Sequence, residues 1–176
     1  MNEIAVICGT NRNDSVSMEI SLLYKALLEE LDQNVELIDL ERLPADFAFS
    51  ALYENSGKNE AFNTYRDLMV RLRKFVFIVP EYNGSFPGVL KTFIEGLKFP
   101  HTFTDKKCAL VGVSSGVQGA GLALSHLTDI FNYCGMNVLA LKPKLARIDK
   151  HLKDGQITND LFNQLLRDQA QKFIEF

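Results

Sequence analysis

Pro80-Glu81-Tyr82-Asn83-Gly84-Ser85-Phe86-Pro87-Gly88 decides how this chain is read. It follows the apolar run Phe75-Val76-Phe77-Ile78-Val79 and precedes an amphipathic run from Val89 to Leu97. An apolar run of strand length, closed by turn residues and followed by a helical pattern, reads as a buried strand feeding a helix. The Pro, Gly and Asn between them make a shaped loop at the carboxyl end of that strand. In open α/β sheets, loops at that end bind the ligand. A second loop of the same kind, Gly9-Thr10-Asn11-Arg12-Asn13-Asp14-Ser15-Val16-Ser17, follows the apolar run Ile4-Ala5-Val6-Ile7-Cys8.

Outward from these loops, strand and helix patterns alternate along the whole chain. Strands are expected over 3–8, 34–39, 75–79, 107–113 and 137–141. Helices are expected over 17–31, 60–73 and 88–98, then up to 134 with Gly135 as a left-handed stop, and last over 158–174. The pattern implies one α/β domain, 1–176, with a five-stranded parallel sheet between two helical layers. Right-handed crossovers and the flavodoxin-like strand order 2-1-3-4-5 put the topological switch point between strands 1 and 3. The two loops follow those strands. A third, Ser114-Ser115-Gly116-Val117-Gln118-Gly119-Ala120-Gly121, follows strand 4 beside them. The connection over 41–59 is long and poorly patterned, with Pro44, Phe47, Phe49, Leu52 and Tyr53. Its aromatics either form a lid or subunit contact or plug an edge of the core.

Composition bounds the function. The 176 residues are 47% hydrophobic and 23% charged, ordinary for a soluble globular domain. A net charge of −3 gives no electrostatic case for nucleic acid or an anionic membrane. No apolar run suits a bilayer span, and no signal-peptide pattern opens the chain, so a cytoplasmic protein is expected. Three cysteines, Cys8, Cys108 and Cys134, lack the count and spacing of a disulfide framework or a zinc site. Cys8 and Cys108 read as small core hydrophobes. His101, His126 and His151 show no ligand spacing, and each is assigned a structural or surface role.

The loops carry the chemistry. In the first, Thr10, Ser15 and Ser17 offer hydroxyls, Arg12 a charged donor and Asn11 an amide, where a helix opens. Helix amino termini favour anions, so these residues suit a phosphate. The pattern is neither GxGxxG nor GxxxxGK[ST], and a monophosphate fits better than a dinucleotide or a nucleoside triphosphate. On the other reading Ser15 or Ser17 is simply an N-cap and Arg12 a solvated charge. The second loop suits a flat heteroaromatic ring. Pro80 and Pro87 restrict the backbone, and Gly84 and Gly88 permit close approach. Main-chain groups of Glu81, Tyr82, Asn83 and Gly84 are placed to pair with an imide edge such as that of isoalloxazine, with Tyr82 packed on the ring. Asn83 alternatively shapes the loop through an Asx-type bond. The third loop reads as flexible, offering the backbone of Ser115, Gly116 and Gln118 after Ser114.

Gly9-Thr10-x-Arg12-x-x-Ser15-x-Ser17, Pro80-Glu81-Tyr82-Asn83-Gly84-Ser85-x-Pro87-Gly88-x-Leu90-Lys91 and Ser114-x-Gly116-x-x-Gly119 together resemble the NADPH-dependent FMN reductase family. That resemblance implies FMN as cofactor, its phosphate on the first block and its isoalloxazine edge on the second, with the third approaching from the side. It implies hydride transfer from NADPH or NADH to the flavin. A small-molecule acceptor then follows: a quinone, an azo compound, a metal oxyanion or free flavin. It also implies a homodimer or homotetramer. Three departures from the family pattern stand at Ser17, at Thr92 and at the pair Glu95-Gly96, the last touching packing or a subunit contact. The other readings are a flavodoxin-type electron carrier without NAD(P)H turnover, and a scaffold that has lost its cofactor. Arg12, the lack of Trp and the slight negative charge favour the reductase over the carrier.

Overall fold

The structure is a computed structural model describing residues 4–176. Glu3, read as the start of the first strand, lies outside the described residues. Strands β1 (Ile4–Cys8), β2 (Val35–Asp39), β3 (Lys74–Pro80) and β4 (Lys107–Val113) stand in one parallel sheet. Its order is β2-β1-β3-β4-β5, as expected, with β5 (Asn137–Val138) and β6 (Lys144–Leu145) both on β4. The helices are α1 (Val16–Glu30), the short α2 (Phe47–Ser50), α3 (Glu60–Arg71), α4 (Gly88–Gly96), α5 (Gly121–Tyr133) and α6 (Asp160–Glu175).

Period-two alternation sorts the strand residues into two cores. Ile7, Phe75, Phe77 and Leu110 face one layer with Phe62, Phe93 and Leu127. Val6, Val76, Ile78 and Val111 face the other with Ile20, Tyr24, Leu166 and Phe173. The register pairs Cys8 with Ile78 and Pro80 with Val113, so β1, β3 and β4 end on one rim. That rim carries the three loops.

Three elements differ from expectation. The fifth strand, expected over 137–141, ends at Val138, and the separate short strand Lys144–Leu145 takes up the pairing with β4 farther on. Across the break, buried Gln169 of α6 donates Nε2 to Leu110 O at 3.0 Å and to Leu141 O at 2.7 Å, supplying donors where the ladder has none. A charged connection near His151 holds the hairpin β7 (Leu152–Lys153) and β8 (Gln156–Ile157). The 41–59 connection is folded by short helical turns. Phe47 stacks on Phe62 at 5.4 Å and Leu52 is buried, so these two plug the core, whereas Phe49 and Tyr53 are exposed.

Two departures from the family pattern find a packing reason. A Cβ at Gly96 would stand 2.6 Å from the Phe62 ring, so Gly96 lets α4 close on α3. Glu95 pairs with Lys91 one turn back, and Thr92 Oγ1 donates to Gly88 O. Lys91 is thus an ion-paired helix residue.

Candidate functional site

Thr10 leaves β1 buried beneath the first loop, and its Oγ1 lies 2.8 Å from the Tyr82 hydroxyl. This bond joins the first loop to the second over 72 positions of sequence. Thr10 Oγ1 also accepts from Arg12 N at 3.2 Å. When Tyr82 donates, the Thr10 hydrogen is free for a further acceptor. Ser15 is the N-cap of α1, its Oγ accepting from Met18 N at 3.2 Å, and its own hydrogen is not needed for that bond. Ser17 is buried in the first helical turn. Among the described residues, the N–H groups of Val16 and Ser17 have no protein acceptor, as expected where a helix opens. Asn11 and Arg12 are exposed, and the Arg12 guanidinium makes no described ion pair. A hydroxyl, a helix amino terminus and an unengaged guanidinium are one donor set for an anion.

The second loop is more tightly committed than its sequence suggests. Glu81 N donates to Val113 O, Tyr82 N to Ser85 O and Ser85 N to Tyr82 O. The N–H groups of Glu81 and Tyr82 are therefore spent inside the protein. Of the main-chain groups of these two residues, then, neither N–H is open to an imide edge. The N–H groups of Asn83 and Gly84 remain, with no acceptor among the described residues. Asn83 and Gly84 have φ of 52° and 75°, the left-handed pair a tight two-residue turn requires. Asn83 acts through that backbone conformation, since no Asx-type bond from its side chain is described. The Glu81 carboxylate accepts from Ala120 N at 3.0 Å and ties the second loop to the third. Pro80 ends β3 level with Val113, Tyr82 lies open at the surface, and Pro87 is the N-cap of α4.

The third loop, read as flexible, is laced down. Ser114 is buried, its Oγ donating to Gly116 O at 3.0 Å and accepting from Gly119 N at 3.0 Å. Ser114 N donates to Leu145 O, and the segment beyond β6 returns donors from Arg147 N to Gly116 O and from Ile148 N to Ser114 O. At Gly119, with φ 57°, a Cβ would meet the Lys144 backbone at 2.8 Å. The N–H groups of Ser115, Gly116 and Gln118 have no described acceptor.

Sequence reasoning missed one support. His126 of α5 reaches back to the second loop, with Nδ1 2.9 Å from Ser85 Oγ. A single histidine on a helix face carries no signal of such a partner 41 positions away. Cys8 lies under the first loop, its thiol pushed up chiefly by burial, with the Thr10 carbonyl pulling the other way, consistent with a core role. Burial likewise pushes the Cys108 thiol up.

Two depressions flank this junction. A cleft of about 680 Å³ borders the first loop toward β2, with Arg12, Asp39, Arg42 and Tyr65 among its walls. An apolar groove of about 470 Å³ runs between α4 and α5, from Lys91 to Phe99, Phe103 and Tyr133. The first is lined by charges of both signs together with apolar side chains; the second is lined by α4, α5 and the segment between α4 and β4.

Residues 2–143 match the NADPH-dependent FMN reductase family. A 2-hydroxy-1,4-benzoquinone reductase from a Burkholderia species is 25% identical over 176 residues, covering 98% of this chain and 90% of that protein. An FMN-dependent NADPH-azoreductase from Staphylococcus saprophyticus is 29% identical over 179 residues, covering 97% and 90%. Among solved structures, a flavoenzyme NAD(P)H:acceptor oxidoreductase from Paracoccus denitrificans superposes with a TM-score of 0.78 at 23% identity, covering 99% of this chain and 96% of that one. No helix of the described residues is long and apolar enough to cross a membrane.

Proposed function

The chain belongs to the NADPH-dependent FMN reductase family, and from that premise we propose that it binds one FMN across its first and second loops and passes reducing equivalents from NAD(P)H to a small acceptor. The observation that carries the reading is the Thr10–Tyr82 bond, which fastens the anion-binding donors to the Asn83-Gly84 turn at 2.8 Å. A mononucleotide has an anionic tail and a planar head, and these segments offer donors to each. FMN, when bound, supplies the ring that takes a hydride from a nicotinamide and yields its electrons to an acceptor.

The residues of this chain have definite tasks in that arrangement. Thr10, Asn11, Arg12, Ser15 and Ser17, with the free N–H groups opening α1, hold the phosphate. Asn83 and Gly84 offer main-chain N–H groups to the imide edge, with Pro80, Glu81 and Tyr82 shaping the segment that presents them. Ser114 sets the third loop so that the N–H groups of Ser115, Gly116 and Gln118 border the ring. Preorganised N–H donors of this kind stabilise negative charge as it develops, without reorganising. The acceptor class is a quinone, an azo compound, a metal oxyanion or free flavin. The working unit is a homodimer or homotetramer, and the apolar α4–α5 groove supports a subunit contact there, with Phe99 and Tyr133 70% and 84% exposed.

The test is spectroscopic. Purified protein mixed with FMN should show a perturbed flavin absorbance and quenched flavin fluorescence. Anaerobic NADPH should then bleach the bound flavin, and a quinone should restore it. Unperturbed flavin spectra would end the binding proposal. Binding without bleaching would make the chain an electron carrier instead.

A further inference from the structure

Ser85 and His126 are not used by the reading above, yet they meet on the rim of the site. Ser85 closes the Tyr82–Ser85 turn that presents the Asn83 and Gly84 N–H groups. Its Oγ lies 2.9 Å from His126 Nδ1. His126 is solvent-exposed on α5 and Ser85 is half-buried. Two turn anchors join Glu81 to Ala120 N and Tyr82 to Thr10. The third is made by an imidazole, the side chain type that changes charge most readily near neutrality.

The protonation state of His126 decides what the Ser85 hydroxyl can do. A serine hydroxyl has one hydrogen. Beside a neutral imidazole with bare Nδ1, that hydrogen is spent on the ring. Beside the imidazolium, Nδ1–H donates to Ser85 Oγ and the serine hydrogen is released to another acceptor. The bond between loop and helix survives either way; the imidazolium and the neutral Nδ1–H tautomer both leave Ser85 a donor, but only the imidazolium can pass on its Nδ1 proton without becoming an imidazolate.

We propose that Ser85 and His126 deliver the proton that a reduced oxygen acceptor requires, an inference that rests on the flavin reading above. Reduction of a quinone by NAD(P)H also consumes one proton, giving a hydroquinone and NAD(P)⁺. The hydride originates on the nicotinamide. The remaining proton leaves Ser85 Oγ as a new O–H bond forms on the acceptor oxygen. His126 Nδ1–H then restores the serine hydroxyl, and the neutral imidazole regains its proton from solvent. Ser85 is the donor; His126 acts through it. The titratable groups on the surrounding elements are Asp129 of α5, Lys91 and Glu95 of α4, which pair with each other, Glu81, engaged by Ala120 N, and the Tyr82 phenol.

The experiment compares two acceptors on the FMN-loaded protein. A quinone needs a proton, whereas ferricyanide takes single electrons and needs none. In the His126→Asn variant the amide can keep the tether to Ser85 but cannot carry a proton. Expected is a loss of at least about tenfold in the quinone rate relative to the ferricyanide rate of the same sample, in line with general acid effects. The decline of the wild-type quinone rate as the imidazole loses its proton should vanish in the variant. Full recovery of the quinone-to-ferricyanide ratio with asparagine, or equal losses on both acceptors, would show a tether only and overturn the proposal. A second readout needs no flavin: the ¹⁵N shift of His126 Nδ1 in the apo protein should move in Ser85→Ala, and an unmoved shift would also overturn it. Failure of wild-type protein to reduce either acceptor would instead strike at the flavin reading.

Discussion

Replacing Gln169 with leucine tests how the sheet is closed beneath the third loop. The fifth strand leaves the ladder between Val138 and Lys144, and the Gln169 amide takes its place. Nε2 donates to Leu110 O and Leu141 O at 3.0 and 2.7 Å, from a side chain with no exposure. The Oε1 atom of the same amide has no partner among the described residues. Gln169→Leu keeps the volume roughly constant and strands the buried Leu110 carbonyl and the part-buried Leu141 carbonyl, each costing up to about 1–3 kcal/mol. It also removes the unpartnered Oε1, recovering a desolvation cost of similar size for one group. The net loss is about 1–3 kcal/mol. For a domain of this size that lowers Tm by about 2–12 °C. The assay is thermal unfolding by circular dichroism, since the chain has no Trp to report by fluorescence. Gln169→Glu should be worse than leucine at neutral pH, because a carboxylate offers no donor. It should improve toward acid pH as protonation restores one. A leucine variant as stable as the parent would refute the account of the break.

Three further outcomes follow from contacts described above. Gly96→Ala places a Cβ 2.6 Å from a Phe62 ring held by its stack on Phe47, and should lose about 1–3 kcal/mol in urea unfolding. The gain of about 1 kcal/mol in helix propensity should not offset that clash. Glu81→Ala removes the acceptor of Ala120 N–H, should cost about 0.5–2 kcal/mol as a lost cap, and should weaken FMN binding in a fluorescence titration. Lys106 donates to Met69 O and Val70 O, and burial, with Arg73 a lesser cause, pulls its pKa down to about 8. The folded protein then binds fewer protons than the unfolded chain between that value and the ordinary lysine range, so stability should rise with pH across that window. Lys106→Met should lack that rise in denaturant titrations taken at successive pH values.

Fold and site were legible to different depths. The sheet order followed from apolar runs alternating with amphipathic ones, and the loops followed from Pro, Gly and Asn at the strand ends. These are local signals, set by period and turn chemistry. The broken fifth strand was not legible, because its apolar run, Asn137 to Leu141, looks like any edge strand. Only the distant Gln169 makes the break tolerable. The hairpin at 152–157 hid in charged residues with no alternation. In the site, the hydroxyls and Arg12 were readable by type. The partners that consume the Glu81 and Tyr82 N–H groups were not, since Val113 and Ser85 accept them only once the loops are folded together. His126 gave no hint for the same reason: the bond to Ser85 exists only in three dimensions.

Where FMN sits on the protein is the measurement that bears most directly on this account. Backbone amide spectra of the ¹⁵N-labelled protein, recorded during titration with FMN, should shift in three clusters: Thr10 to Ser17, Asn83 to Ser85, and Ser115 to Gln118. Shifts confined to the α4–α5 groove or to the cleft toward β2, with the Asn83 and Gly84 amides unmoved, would contradict it.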